Sequence, residues 1–145
     1  MTPQQKKRLA TRLKQDEGVI PHAYMDHLGY WTIGVGRLID KRNGGGLSQE
    51  EIDMLLTNDI SRAHDDLLDA FPWVIRLDEA RFAVLVMMVF QLGIGGLAKF
   101  KMTMQSIEHG KYAEAARHML ASKWAKQTPK RAKALAEMMK TGVWN

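Results

Sequence analysis

The sequence predicts an α+β fold, mostly helical, with a small β-hairpin lobe near the N-terminus and a larger helical lobe. Three observations carry this expectation. Helix-start signals recur along the chain, residues 23–38 gather Tyr, Trp, Thr, Ile and Val around a glycine turn, and residues 82–90 form one apolar run. With 145 residues and 46% hydrophobic side chains, the chain is long enough for one domain with a real core.

The first helix starts with Thr2 as N-cap, Pro3 in the first helical position and Gln5 closing a capping box. Leu9 and Leu13 then share one face. Gly18 is the expected stop, which places Glu17 in the last turn. Residues 23–38 read as a β-hairpin turning at His27-Leu28-Gly29. Its second strand puts Tyr30, Thr32, Gly34 and Gly36 on one face and Trp31, Ile33, Val35 and Arg37 on the other. Asn43 to Gly46 reads as a loop.

Ser48 and Glu51 form a second capping box, opening a helix to about Ala70 that Phe71-Pro72 ends. Asp78 caps a helix from about Glu79 to Leu92, apolar all round and so expected to be the buried central helix. Shorter helices are expected near 101–109, 111–121 and 129–140. Thr128-Pro129 repeats the pairing of cap and proline. The expected organisation is a single domain over 1–145. Its small lobe covers about 18–47, a bridging helix about 49–70, and a helical lobe about 71–145 together with helix 1–17. A cleft between lobes is a common place for a substrate.

Composition narrows the function. The absence of cysteine excludes disulfides and thiolate-held metals. The N-terminal stretch leads into no apolar run and Phe82–Phe90 is too short to span a bilayer, so a cytosolic chain without an integral membrane segment is expected. The formal charge of +5 is uneven: Lys99–Asn145 holds ten Lys/Arg against three Glu. That suits a polyanionic partner, although a solvated helical face gives the same pattern.

Several chemistries find no motif. Gly34-Val35-Gly36 lacks the third glycine of a dinucleotide fingerprint, since Ile39 stands in its place. There is no phosphate-binding loop and no nucleophile elbow. The five histidines show no metal-ligand spacing, so no metal is expected. The carboxylates say more. The negative end of a helix favours a carboxyl group at position 17 that keeps its proton. Asp26, beside a turn, is expected to be wetter and ionised. Two carboxyl groups in unlike surroundings are what glycoside hydrolysis uses.

Asp16-Glu17-Gly18, Ala23-Tyr24-Met25-Asp26 and the run Gly29-Tyr30-Trp31-Thr32-Ile33-Gly34-Val35-Gly36 closely resemble the phage lysozymes of the T-even type, glycoside hydrolase family 24. Met88-Val89-Phe90-Gln91-Leu92-Gly93 agrees. So do Ser122-Lys123-Trp124 through Ala132 and the closing Thr141-Gly142-Val143-Trp144. The resemblance spans about Gln15 to Trp144, and it implies a lysozyme-like two-lobed fold.

It also implies roles. Glu17 matches the general acid, Asp26 the carboxylate that places the attacking water, and Thr32 the residue across the cleft that contacts this water. Arg131 matches an arginine paired with the acid. Leu38, Phe90, Thr103 and His118 match saccharide-contacting positions, with Thr and His at the last two where Ser and Asn are more usual. Core packing is the competing reading for Phe90, and packing is the expected role of Trp124. Arg37 stands where the family has His, and Asp59 matches that residue's partner, so an Arg37–Asp59 ion pair is expected. The segment Lys41–Ser48 is short, so the small lobe should be trimmed, with less sheet beyond the hairpin.

The implied activity is a muramidase without cofactor. It would act by inversion on peptidoglycan glycan strands, as a monomer held in the host cytoplasm until a holin-like pore opens the way to the periplasmic wall. Two rivals remain. One is a basic helical protein that binds nucleic acid through phosphates, against which stands the lack of a recognition helix with base-reading residues. The other is a catalytically silent wall-binding relative, against which stands the retention of Glu17, Asp26 and Thr32.

Overall fold

The computed structural model describes residues 1–145. The chain divides into two compact units, Met1–Asp53 and Met54–Asn145. The first holds helix α1 (Pro3–Glu17), strands β1 (Ile20–Met25), β2 (Trp31–Gly34) and β3 (Arg37–Leu38), and the start of helix α2 (Gln49–Ala70). The second holds the rest of α2, a 3₁₀ turn (Pro72–Arg76) and helices α3 (Glu79–Ala98), α4 (Lys101–Glu108), α5 (Tyr112–Leu120), α6 (Lys123–Gln127) and α7 (Pro129–Thr141).

In the first unit, α1 forms as its ends dictate. Thr2 Oγ1 accepts from the Gln5 N–H at 3.1 Å, while Gln5 Oε1 accepts from the Thr2 N–H at 2.8 Å. At the other end the Gly18 N–H closes onto the Lys14 carbonyl. The three strands make one antiparallel sheet in the order β1-β2-β3. Tyr24 pairs with Thr32 and Met25 with Trp31, and the register slips between Ile20 and Tyr24.

The expected single strand through residue 37 is corrected. The chain turns back at Val35-Gly36, so Arg37 pairs with Ile33 and Leu38 with Thr32 in a third strand. Alternating side chains continue across this turn, which is why the pattern reads as one strand. The loop that follows is tied down: the Gly46 N–H donates to the Leu38 carbonyl at 2.9 Å, Arg42 pairs with Asp40, and the Arg42 guanidinium lies 4.2 Å over the Tyr30 ring.

The second unit is built around α3. Val84, Leu85 and Met88 pack with Leu67 of α2, Val74, Leu97, Ile107 of α4, Met119 of α5 and Met139 of α7, all fully buried. Each large side chain removed from water contributes about 1.5–3 kcal/mol of transfer free energy. Asp78 caps α3 as expected, accepting from the Arg81 N–H.

The helix runs past Leu92, but it bends there. Gly93 has φ +74, a left-handed conformation that a side chain would resist, and the chain then resumes helical form to Ala98. By length and composition α3 could cross a membrane; here it is the core helix. It is not buried all round, since Phe90 is 49% exposed.

Helix α6 was not anticipated; five residues are too few to show a period. Thr128 precedes Pro129 but makes no side-chain cap. Its hydroxyl instead donates backward to the Trp124 carbonyl at 3.0 Å, closing α6.

One side chain fastens three helices of this unit. The Arg81 guanidinium, on α3, donates through Nε to the Met139 carbonyl at 2.7 Å and through Nη2 to the Lys140 carbonyl at 2.9 Å. Through Nη1 it meets Asp78 at 3.0 Å, and it lies 3.6 Å from the centre of the Tyr112 ring of α5. A cation at the end of α7 satisfies carbonyls that have no partner inside the helix. Partial burial raises the Asp78 carboxyl, and the N–H and guanidinium of Arg81 outweigh it, holding it below the ordinary carboxylate range.

Candidate active site

Glu17, Asp26, Thr32 and Leu38 all lie in the first unit. Glu17 ends α1, and its carboxylate reaches the β2–β3 turn: a Cβ built on Gly36 would sit 3.2 Å from Glu17 Oε2. Gly36 also has φ +70. A glycine therefore serves twice here, making the tight turn and leaving room for the carboxylate.

Asp26 follows β1. Its Oδ1 accepts from the backbone N–H of Leu28 at 2.9 Å and of Tyr30 at 2.8 Å, an arrangement typical of aspartate at turns. Its own N–H donates to the Tyr30 carbonyl at 2.9 Å. Oδ1 is thus committed to the turn, while no protein group donates to Oδ2. Thr32 is buried, and its Oγ1 donates to that same Tyr30 carbonyl at 3.0 Å. Leu38 is half-buried beside it.

The expected contrast in solvation is reversed. Glu17 is the exposed group, whereas Asp26 is partly buried and held by two amides. The reason is local: the turn after β1 folds its backbone over Asp26.

Arg37 and Asp59, the expected pair, fall in different units. Each residue has a partner inside its own unit. Arg37 Nη1 donates to Glu51 Oε1 at 2.8 Å and to the Gly46 carbonyl at 3.0 Å. Asp59 lies 3.7 Å from Arg62, one turn along α2. Glu51 had been assigned to the capping box, and it fills that role too. Its Oε1 accepts from the Ser48 N–H and its own N–H donates to Ser48 Oγ. The Arg37 guanidinium first, and then Ser48, hold the Glu51 carboxyl at about 2, well below the ordinary value.

The remaining candidates lie in the second unit. Phe90 and Arg131 border the same apolar concavity of about 340 Å³, shared with Leu56, Ile60 and Met87. Thr103 and His118 border another, of about 560 Å³. Thr103 is buried. His118 Nε2 is buried without a hydrogen-bond partner, with Glu114 Oε1 3.7 Å away. Trp124 is packed: it meets Phe100 edge-on and donates its indole N–H to Gln91 Oε1 at 3.0 Å.

Sequence reasoning missed the parts played by Gly36, the Tyr30 backbone and Glu51. Only Glu51 left a usable signal, since a carboxylate at the start of a helix attracts any nearby cation.

A mostly helical chain with a small sheet, carrying one carboxyl group at the end of α1, a second at the turn after β1 and a threonine on β2, has the form of a lysozyme-like glycoside hydrolase. The family model described as phage lysozyme matches residues 14–140, and the chain belongs to that family. Among known proteins, it is 32% identical to "Probable T4-type lysozyme 1" of Dictyostelium discoideum, over 92% of this chain and 94% of that protein. It is 31% identical to "Probable T4-type lysozyme 2" of the same organism, over 93% and 95%. It is 28% identical to "Pre-baseplate central spike protein Gp5" of Enterobacteria phage T4, over 92% of this chain and 28% of that protein.

Proposed function

We propose that this chain is an endolysin that hydrolyses the β-1,4 bond between N-acetylmuramic acid and N-acetylglucosamine in bacterial peptidoglycan, with inversion at the anomeric carbon. Beyond family membership, one observation supports the reading. Within a single unit, Glu17 lies exposed against Gly36, while Asp26 keeps one carboxylate oxygen free of protein donors and shares the Tyr30 peptide with Thr32.

In this scheme Glu17 donates a proton to the glycosidic oxygen as the C–O bond breaks. A water held by Asp26 Oδ2 and the Thr32 hydroxyl adds to the opposite face of an oxocarbenium-like centre, and Asp26 takes its proton. No metal or organic cofactor enters the scheme. Leu38, Phe90, Thr103 and His118 would contact saccharide, and Arg131 would pair with the acid. The protein would act as a monomer that waits in the host cytoplasm until a pore-forming protein admits it to the wall.

The test uses outer-membrane-permeabilised Gram-negative cells and purified peptidoglycan. Turbidity should fall, and new reducing ends should appear in step with it. A folded protein that binds peptidoglycan without releasing reducing ends would overturn the proposal in favour of a silent wall-binding protein.

A further inference from the structure

The loop after β3 reaches Tyr30 through Arg42, and Asp40 sets that contact up. Asp40 Oδ1 accepts from the Arg42 N–H at 3.0 Å, and Oδ2 accepts from Arg42 Nε at 2.7 Å and also from Nη2. The guanidinium is thereby held 4.2 Å from the centre of the Tyr30 ring. A guanidinium suits this double contact, because its flat face can lie on a ring while its edge stays bonded to a carboxylate.

Tyr30 needs such a hold. Its ring is exposed, so core packing does not fix it. The residue before it, Gly29, has φ +83, and a glycine lets the peptide that follows it turn more freely than other residues do. That peptide carries the N–H that donates to Asp26 Oδ1, and the Tyr30 carbonyl accepts from Thr32 Oγ1. Asp26 and Thr32 thus take their places from the main chain of one exposed residue.

We propose that Arg42 is a positioning residue for hydrolysis: stacked on the Tyr30 ring, it steadies the main chain that spaces the Asp26 carboxylate from the Thr32 hydroxyl. The proposal rests on the proposed function, in which those two groups hold the attacking water. Arg42 acts through Tyr30 and not on the sugar. The rival reading is that Arg42 only closes its own turn through Asp40, which would affect stability without depending on Thr32.

Arg42→Met keeps the length of the side chain and removes its charge. On purified peptidoglycan, kcat should fall about 2- to 5-fold, the span of one cation on an exposed ring, while KM stays within about twofold of wild type. In a Thr32→Val background, Arg42→Met should have no further effect on kcat, because the pair it spaces is already broken. An unchanged kcat in Arg42→Met, or an equal loss in both backgrounds, would overturn the proposal.

If the wild-type protein releases no reducing ends, the proposed function fails, and amide hydrogen exchange decides whether Arg42 holds Tyr30. In Arg42→Met the Tyr30 N–H should exchange about 2- to 5-fold faster than in wild type. The N–H of Val84, in the core helix of the second unit, should keep its rate. Unchanged exchange at Tyr30, or the same acceleration at Val84, overturns the hold.

Discussion

Asp26 and Thr32 are joined through one peptide: Asp26 Oδ1 accepts from the Tyr30 N–H, and the Tyr30 carbonyl accepts from Thr32 Oγ1. The carboxylate and the hydroxyl therefore keep their spacing without touching. If together they hold the attacking water, Thr32→Val should leave the fold intact and lower kcat by about 10- to 100-fold, toward the modest end of what positioning supplies. The Tyr30 carbonyl keeps its bond from the Asp26 N–H, so the loss of stability should be only about 1 kcal/mol. Steady-state kinetics beside a urea titration check both numbers. An unchanged kcat would remove Thr32 from the mechanism.

Glu17→Gln should lower kcat by about 100- to 10,000-fold, the span for loss of a general acid. The site is exposed, so folding should be unaffected. With the wild-type protein, proton NMR of the first-formed sugar should show the α anomer. A β anomer would mean retention and a route through a covalent or substrate-assisted intermediate.

Gly36→Ala separates backbone strain from crowding of the acid. Alanine at φ +70 costs about 1–2 kcal/mol. Its Cβ also lies 3.2 Å from Glu17 Oε2 and so displaces the carboxylate. Gly34→Ala is the matched control: φ is +69, but nothing lies within 4 Å of the added methyl. Both variants should lose similar stability in denaturation, and only Gly36→Ala should lose turnover beyond that. Equal turnover in the two would show that Glu17 tolerates the displacement.

The Arg37–Glu51–Ser48 cluster makes the start of α2 sensitive to acid. The folded carboxyl of Glu51 sits at about 2 against an ordinary 4.5. A carboxyl lowered on folding contributes stability above its unfolded value and loses it as pH falls toward the folded value. Urea midpoints of wild type and Glu51→Gln should therefore differ at pH 7 and converge between about pH 4.5 and pH 2. Because Arg37 does not titrate in the neutral range, the difference should persist unchanged at alkaline pH. A gap that stays constant down to pH 2 would show that Glu51 is not held by these partners.

Sequence alone carried most of the helical frame, because its punctuation is chemical: the Thr2–Gln5 and Ser48–Glu51 boxes, Pro3, Gly18 and Asp78 each satisfy or end a helix locally. What it missed depends on contacts across a few ångströms. The turn at Val35-Gly36 preserves side-chain alternation, so β2 and β3 look like one strand. Arg37 was matched with Asp59 through the family resemblance alone, and the capping role read for Glu51 gave no sign that its carboxylate also takes the Arg37 guanidinium. At the candidate site, Glu17 and Asp26 stood out through position and resemblance. The part of Tyr30 could not, since it acts through its peptide group and every residue has one.

The contacts of Arg81 with Met139 and Lys140 join positions almost sixty residues apart. They therefore set an order of events at the ribosome. Helix α3 emerges long before its guanidinium can find the carbonyls that end α7, the last helix of this unit. Until then Arg81 has only Asp78 and, once it is made, Tyr112. The second unit should stay open to chaperones and proteases until α7 clears the exit tunnel.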